Sequence, residues 1–213
     1  TIVHVQRHGQ VENPDGVLYG RIPGYGLSEL GHRMAARLAE HWADVPLTHL
    51  RCSPLQRAQE TMAPTAAGHP HLEIATDERV IEAANEFEGL VFGKGNAALR
   101  NPRMFWHMRN PLRPSWGEAY VDIAARMRAA IADAAEAAGQ GGQALIVSHQ
   151  LPIFIARRAA EGRPFVHDPR ARQTTLCSVT SFTVRDGAIT AVAYAEPAAD
   201  LLPVKKGRGF KVG

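Results

Sequence analysis

Apolar and polar positions along the chain follow two rhythms, one of short β-branched runs and one of residues recurring every four. The first run is Ile2, Val3 and Val5, closing on Arg7-His8-Gly9. Such a run suits a strand buried on both faces, as in a parallel sheet covered by helices. Residues 10–26 carry the turn signals Asn13-Pro14-Asp15-Gly16 and Pro23-Gly24 and read as a long loop. Ser28 reads as an N-cap. Leu30, Met34, Leu38 and Trp42 then predict a helix to about residue 45, with Arg33, Arg37 and Glu40 on its outer face.

Residues 48–53 read as a second strand. Ser53 is placed as the next N-cap, with Pro54 at the first helical position and Gln56 completing a capping box. A third strand is expected at 72–75. Tyr120, Ile123, Met127, Ile131 and Ala134 form the apolar face of a long helix over about 117–138, ended by Gly139-Gln-Gly-Gly. Residues 144–148 are a fourth buried strand closing on His149, and residues 150–160 a helix beginning near Pro152. Residues 178–185 and 188–196 alternate around Asp186-Gly187, a hairpin signal. Strands alternating with helices predict an α/β fold: a three-layer sandwich with a mostly parallel central sheet and helices on both faces.

The 213 residues are expected to form a single domain, 1–213, with a lid-like insertion at about 90–116 and a basic tail at 203–213. In the insertion Gly93, Gly95, Pro102, Pro111 and Pro114 break any period, and Phe92, Phe105, Trp106 and several basic residues stud it. A hydrophobic share of 45% and a charged share of 21% are ordinary for a soluble globular protein. No apolar run approaches the ~18 residues that span a bilayer. The first residues read as a strand rather than a signal peptide, so a cytoplasmic location and no membrane partner are expected. Cys52 and Cys177 are too few for a disulfide framework. The formal charge of +3 suggests a polyanion partner until it is located: Lys205, Lys206, Arg208 and Lys211 all lie in the tail. Without them the body is near neutral, which argues against nucleic acid.

Candidate chemistry gathers where strands end. In parallel sheets the ligand site lies outside the carboxyl ends of the strands, where Arg7 and His8 fall. A guanidinium offers a rigid fork to phosphate oxygens, an imidazole is a nucleophile or base, and a glycine lets backbone approach. His149 stands at a second junction of the same kind. Arg57 falls in the first turn of a helix, where free N–H groups and the macrodipole favour an anion and disfavour a lone cation. Residues 77–89 present Glu82, Glu86 and Glu88 among small and apolar residues. His69-Pro-His71 has a metal-like spacing but lacks a third ligand nearby and reads as a turn. His4, His32, His41, His49, His107 and His167 are read as ordinary core, loop, helix or surface residues.

Arg7-His8-Gly9, Ser53-Pro-Leu-Gln-Arg57-Ala-Gln-Glu-Thr61, an acid near Glu82, Gly117-Glu118 before the long helix, and Ser148-His149 together resemble the histidine phosphatase superfamily, in its phosphoglycerate mutase-like branch. The resemblance runs from Thr1 to about Glu196. It implies a phosphomonoester hydrolase in which His8 carries a phosphohistidine, Glu82 donates the proton, and Arg7, Arg57 and His149 form the phosphate pocket. Asn13 and Gln150 are further substrate-binding candidates. It implies no metal and no cofactor, since two arginines and a histidine supply the positive charge. The expected partner is a small phosphorylated substrate or a phosphoprotein, and a homodimer is left open. Three departures stand out. Gln10-Val11 replaces the family's usual acid-Thr pair, and Asn13 lies one position off the usual Asn. The acid segment, ending Asn85-Glu86-Phe87-Glu88-Gly89, is one residue shorter, which makes Glu86 a rival to Glu82. A cofactor-dependent phosphoglycerate mutase and a non-catalytic phospholigand-binding protein are the alternatives. The short, proline-broken stretch between Gly89 and Gly117 favours hydrolysis, because a mutase needs a substantial lid to exclude water.

Overall fold

The computed structural model describes residues 1–91 and 117–202. The expected lid-like insertion beyond residue 91, with its aromatic and basic residues, and the basic tail from residue 203 lie outside the described residues.

Strands β1 (Ile2–Arg7), β2 (Leu47–Cys52), β3 (Ile74–Thr76) and β4 (Gln143–Ser148) run parallel. Strands β5 (Val179–Arg185) and β6 (Ala188–Ala195) add an antiparallel hairpin, and the sheet order is β3-β2-β4-β1-β5-β6. Because β1 and β4 are central, both of their faces are covered, which is why they read as continuous apolar runs. β4 shows this directly: Ala144 and Ile146 enter one core, Leu145 and Val147 the other. The first core takes Ile123, Met127 and Ile131 from α3 (Tyr120–Ala138), and Ile153 and Ile155 from α4 (Gln150–Ala160). The second takes Met34, Leu38 and Trp42 from α1 (Glu29–Trp42), and Ala58 and Met62 from α2 (Gln56–Gly68). Helices on both faces of a mostly parallel sheet make the three-layer α/β sandwich. No helix among the described residues is long and apolar enough to cross a membrane.

Local signals hold at some boundaries and yield at others. Ser28 caps α1 as expected, its Oγ accepting from Gly31 N at 3.1 Å. Ser53 does not cap α2. That helix starts at Gln56 behind Leu55, which offers no side-chain cap, and Gln56 reaches Glu60 instead of completing a box. The Ser53 hydroxyl is engaged across the strand ends by His149 (2.7 Å). α3 begins at Tyr120 rather than Gly117, because Gly117 bridges to Asn85 and Glu118 N donates to Ala84 O (3.1 Å). β3 is displaced from 72–75 to Ile74–Thr76 by its pairing with β2, which sets Leu50 against Ile74. His69 is buried with Nδ1 on Thr65 O (3.0 Å), a structural role.

The loop after β1 is pressed onto the start of α1. Ser28 N donates to Gln10 O at 2.9 Å, and a Cβ on Gly31 would lie 2.1 Å from that same oxygen. A Cβ on Gly9 would meet Gly31 O at 2.9 Å. Backbone therefore passes backbone here, and no side chain fits between. Gly31→Ala should destabilise the fold by about 1–3 kcal/mol, the usual cost of overpacking, read from the midpoint of urea unfolding. An unchanged midpoint would show that the crossing can open freely.

Candidate active site

The register of β1 on β4 sets Arg7 opposite Ser148, so His8 and His149 leave the sheet side by side. Paired strands lie about 4.8 Å apart, and the two imidazole centroids are 5.1 Å apart, tilted by 54°. Arg7 ends β1 and Arg57 lies in the first turn of α2, and both are buried, as are both histidines. Four of the expected residues thus meet in one pocket at the carboxyl edge of the sheet.

Backbone carbonyls anchor the two cations: Arg7 Nη1 donates to Thr174 O (2.8 Å) and Arg57 Nη2 to Gly20 O (2.7 Å). The Arg57 guanidinium also lies over the Tyr19 ring, 4.7 Å from its centroid. Gly9 N donates to Thr61 Oγ1 (3.0 Å), which itself donates to Arg57 O (2.6 Å), tying the Arg-His-Gly loop to α2. His8 Nδ1 stands 2.8 Å from Gly9 O. A carbonyl only accepts, so Nδ1 carries the proton and Nε2 keeps its lone pair. His149 Nε2 is 2.7 Å from Ser53 Oγ. With the hydroxyl donating, the His149 proton sits on Nδ1. That Nδ1 and Arg57 Nε are buried donors without a hydrogen-bond partner among the described residues, a costly state unless a ligand satisfies them.

Burial dominates the electrostatics. Desolvation, followed by the charges of Arg57 and Arg7, holds His8 well below the ordinary imidazole range. His149 is lowered in the same way, by burial first and then by Arg57, His8 and Arg7. Both rings are therefore neutral at pH 7. Burial also lowers Arg7 and Arg57, with Tyr19 and Glu82 acting in the opposite direction on each. Cys177 donates its N–H to His8 O (3.4 Å), and burial pushes its thiol up to about 12. A protonated thiol is no rival nucleophile.

Glu82 is half-buried, and its charge acts on Arg7, Arg57, Tyr19 and Arg172. Its Oε1 accepts from Ala83 N at 2.8 Å. Glu86 is exposed in the turn beyond. Gln150 is half-buried at the first position of α4, next to His149. Asn13 bonds within its own loop: its Nδ2 donates to Val17 O (2.9 Å) and its Oδ1 accepts from Val17 N (3.0 Å). Sequence reasoning missed Tyr19 and Arg172, and it named Ser53 and Thr61 only as a cap and as part of the family motif. Thr61 lies one helical turn after Arg57, so spacing could have found it. Tyr19 and Arg172 lie in loops, where no period marks them. His167, read as ordinary, accepts from Arg172 Nε (2.8 Å).

Residues 3–197 match the model of the histidine phosphatase superfamily, branch 1. The uncharacterized protein Rv0525 of Mycobacterium tuberculosis is 50% identical over 199 residues, which cover 93% of this chain and 98% of that protein. Among solved structures, YhfR of Bacillus stearothermophilus has a TM-score of 0.75 at 25% identity, covering 89% of this chain and 94% of that one. Mycobacterial glucosyl-3-phosphoglycerate phosphatase Rv2419c shares the fold, with a TM-score of 0.70 at 23% identity over 91% of this chain and 95% of that one. The six-stranded sheet between its helix layers is the phosphoglycerate mutase-like fold. With a matching family model across nearly its whole described length and a half-identical relative, the chain belongs to the histidine phosphatase superfamily, branch 1.

Proposed function

We propose that the protein is a phosphomonoesterase that works through a phosphohistidine on His8. The observation that carries this reading is the His8 imidazole, its Nδ1 2.8 Å from Gly9 O, buried beside a second imidazole and together with two buried guanidiniums. His8 Nε2 attacks phosphorus in line with the ester oxygen. A P–N bond forms, the P–O bond breaks, and Glu82 gives its proton to the leaving oxygen, which departs as an alcohol. Water then attacks phosphorus and passes a proton to the Glu82 carboxylate, and the P–N bond breaks to release phosphate and restore His8. Arg7, Arg57 and His149 Nδ1–H hold the phosphoryl oxygens as charge shifts among them. Gln150, at the first turn of α4 and next to His149, is a candidate for a further substrate contact. The two guanidiniums supply the positive charge the transfer needs, so the scheme calls on neither a metal nor a cofactor. Glu82 is assigned the acid over Glu86 because its charge acts on both pocket arginines, whereas Glu86 is exposed. The short stretch between Gly89 and Gly117 supports hydrolysis over mutase chemistry.

A panel of phosphomonoesters should release phosphate, and rapid denaturation during turnover should trap acid-labile, base-stable phosphate on His8. His8→Asn should remove both. Rapid conversion of 3-phosphoglycerate to 2-phosphoglycerate with trace 2,3-bisphosphoglycerate, without free phosphate from any ester, would mark a mutase instead.

Glu82→Gln should slow alkyl phosphates by about 10²–10⁴, the usual size of general acid catalysis. Turnover of 4-nitrophenyl phosphate, whose leaving group departs without a proton, should suffer much less. If Glu86→Gln gave that pattern and Glu82→Gln did not, the role would pass to Glu86.

Stability should depend on pH through the two buried imidazoles. Their folded pKa values lie below the unfolded value of about 6.5, so in the window beneath that pH the unfolded chain binds protons that the native state refuses. This contribution is complete above about pH 6.5 and is lost progressively as pH falls below it. The thermal midpoint should drop from about pH 7.5 to about pH 5.5, and by less in His149→Asn. An equal drop in the variant would mean that His149 titrates freely in the folded protein.

A further inference from the structure

The backbone and side chain of Gly117-Glu118 converge on the segment that carries Glu82. Arg126 grips the Glu118 carboxylate with two donors, Nε at 2.6 Å and Nη2 at 3.0 Å, and Arg21 Nη2 adds a third at 3.1 Å. The Glu118 and Arg126 side chains are only 17% and 15% exposed. Two cations around one anion leave positive charge over, and backbone carbonyl dipoles absorb it. Arg126 Nη1 donates to Arg79 O (2.6 Å) and Ile81 O (2.9 Å), and Arg21 Nε donates to Glu82 O (2.7 Å). Three carbonyls within four residues are thus held by the arginines that Glu118 holds.

The segment is also supported at Val80, whose side chain is buried and whose O accepts from Ser148 Oγ (2.7 Å), and at Arg79, which pairs with Asp77 and Asp133. Its only regular element is the 3-10 turn Glu78–Val80. The glycine completes the seat: a Cβ on Gly117 would lie 2.6 Å from Ala84 O, the oxygen that accepts from Glu118 N. Arg21 also joins this seat to the phosphate pocket. Its own N–H donates to Glu88 Oε1 (3.0 Å), and the carbonyl just before it, Gly20 O, accepts from Arg57 Nη2.

We infer that Glu118 is a positioning residue for the proton donor: through Arg21 and Arg126 it fixes the backbone of residues 79–82 and so the reach of the Glu82 carboxyl over His8. The inference rests on the proposed reaction, in which Glu82 protonates the leaving oxygen. A donor must stand within hydrogen-bond reach of that oxygen, and a displacement of about 1 Å can cost about 10²-fold. A carboxylate is needed at position 118 because both of its oxygens accept, Oε1 from Arg126 and Oε2 from Arg126 and Arg21, whereas an amide keeps one neutral acceptor and turns an NH2 donor toward a guanidinium.

Glu118→Gln tests this at nearly constant size, with Glu118→Asp as a second variant that keeps the charge. Glu118→Gln should slow glycerol phosphate by about 10–100-fold while leaving 4-nitrophenyl phosphate within about threefold, and Glu118→Asp should recover part of the loss. In a Glu82→Gln background, adding Glu118→Gln should change glycerol phosphate turnover by less than about twofold, since a missing donor cannot be misplaced. Equal losses on both esters, or losses that multiply in the double variant, would overturn the positioning role. If Glu82→Gln alone spares glycerol phosphate, the acid assignment fails, and the anchoring is then judged by amide hydrogen exchange. Exchange over residues 79–85 should quicken in Glu118→Gln while that of β4 stays unchanged. Unaltered exchange over 79–85 would refute the anchoring whatever Glu82 does.

Discussion

Parallel pairing of β1 with β4 is the constraint on which the rest of this molecule depends. One register sets Arg7 level with Ser148, and the chain then turns outward on both strands at the same height. Slipping that register by one residue would turn every side chain of β1 to the other core and would part the two imidazoles. Two apolar cores, one on each face, resist any such slip. The separation of His8 and His149 is therefore held by the burial of Val3, Val5, Ile146 and Val147, residues with no chemistry of their own.

Placing cations and imidazoles together in a buried pocket has an electrostatic consequence. With Arg7 and Arg57 close by and little water, neither histidine takes up a proton at neutral pH. An imidazole attacks only when unprotonated, so the burial that destabilises charge also prepares the ring. The guanidiniums stay anchored because carbonyls of Thr174 and Gly20 accept from them, which leaves donors such as Arg57 Nε for an anion. The N-terminus of α2 adds its own partial positive charge to the same spot.

Several local signals were overridden by partners far along the chain. Ser53 is followed by a good helix-start pattern, yet its hydroxyl serves His149, and α2 begins later behind Leu55. Gly117 stands where a helix could begin, yet it pairs with Asn85 because only a residue without Cβ can approach Ala84 O so closely. Asn13 is the reverse case. Its amide bonds through both Nδ2 and Oδ1 to Val17, four residues along the same loop, so a contact within one turn orients it.

The alternation of apolar runs by itself determined the layered α/β class and the strand-end positions of His8 and His149, because burial on two faces leaves a period that a single sequence records. The capping residue of α1 and the hairpin at Asp186-Gly187 were legible for the same reason, being settled within a few residues. Only the tertiary structure decided the strand order, the side-by-side histidines, the hydroxyl on His149 and the arginines that grip Glu118. Those contacts join residues such as Ser53 and His149, or Arg21 and Glu118, that lie on separate elements. No local period encodes such a meeting, since it exists only after the sheet has chosen its neighbours and brought their ends to one edge.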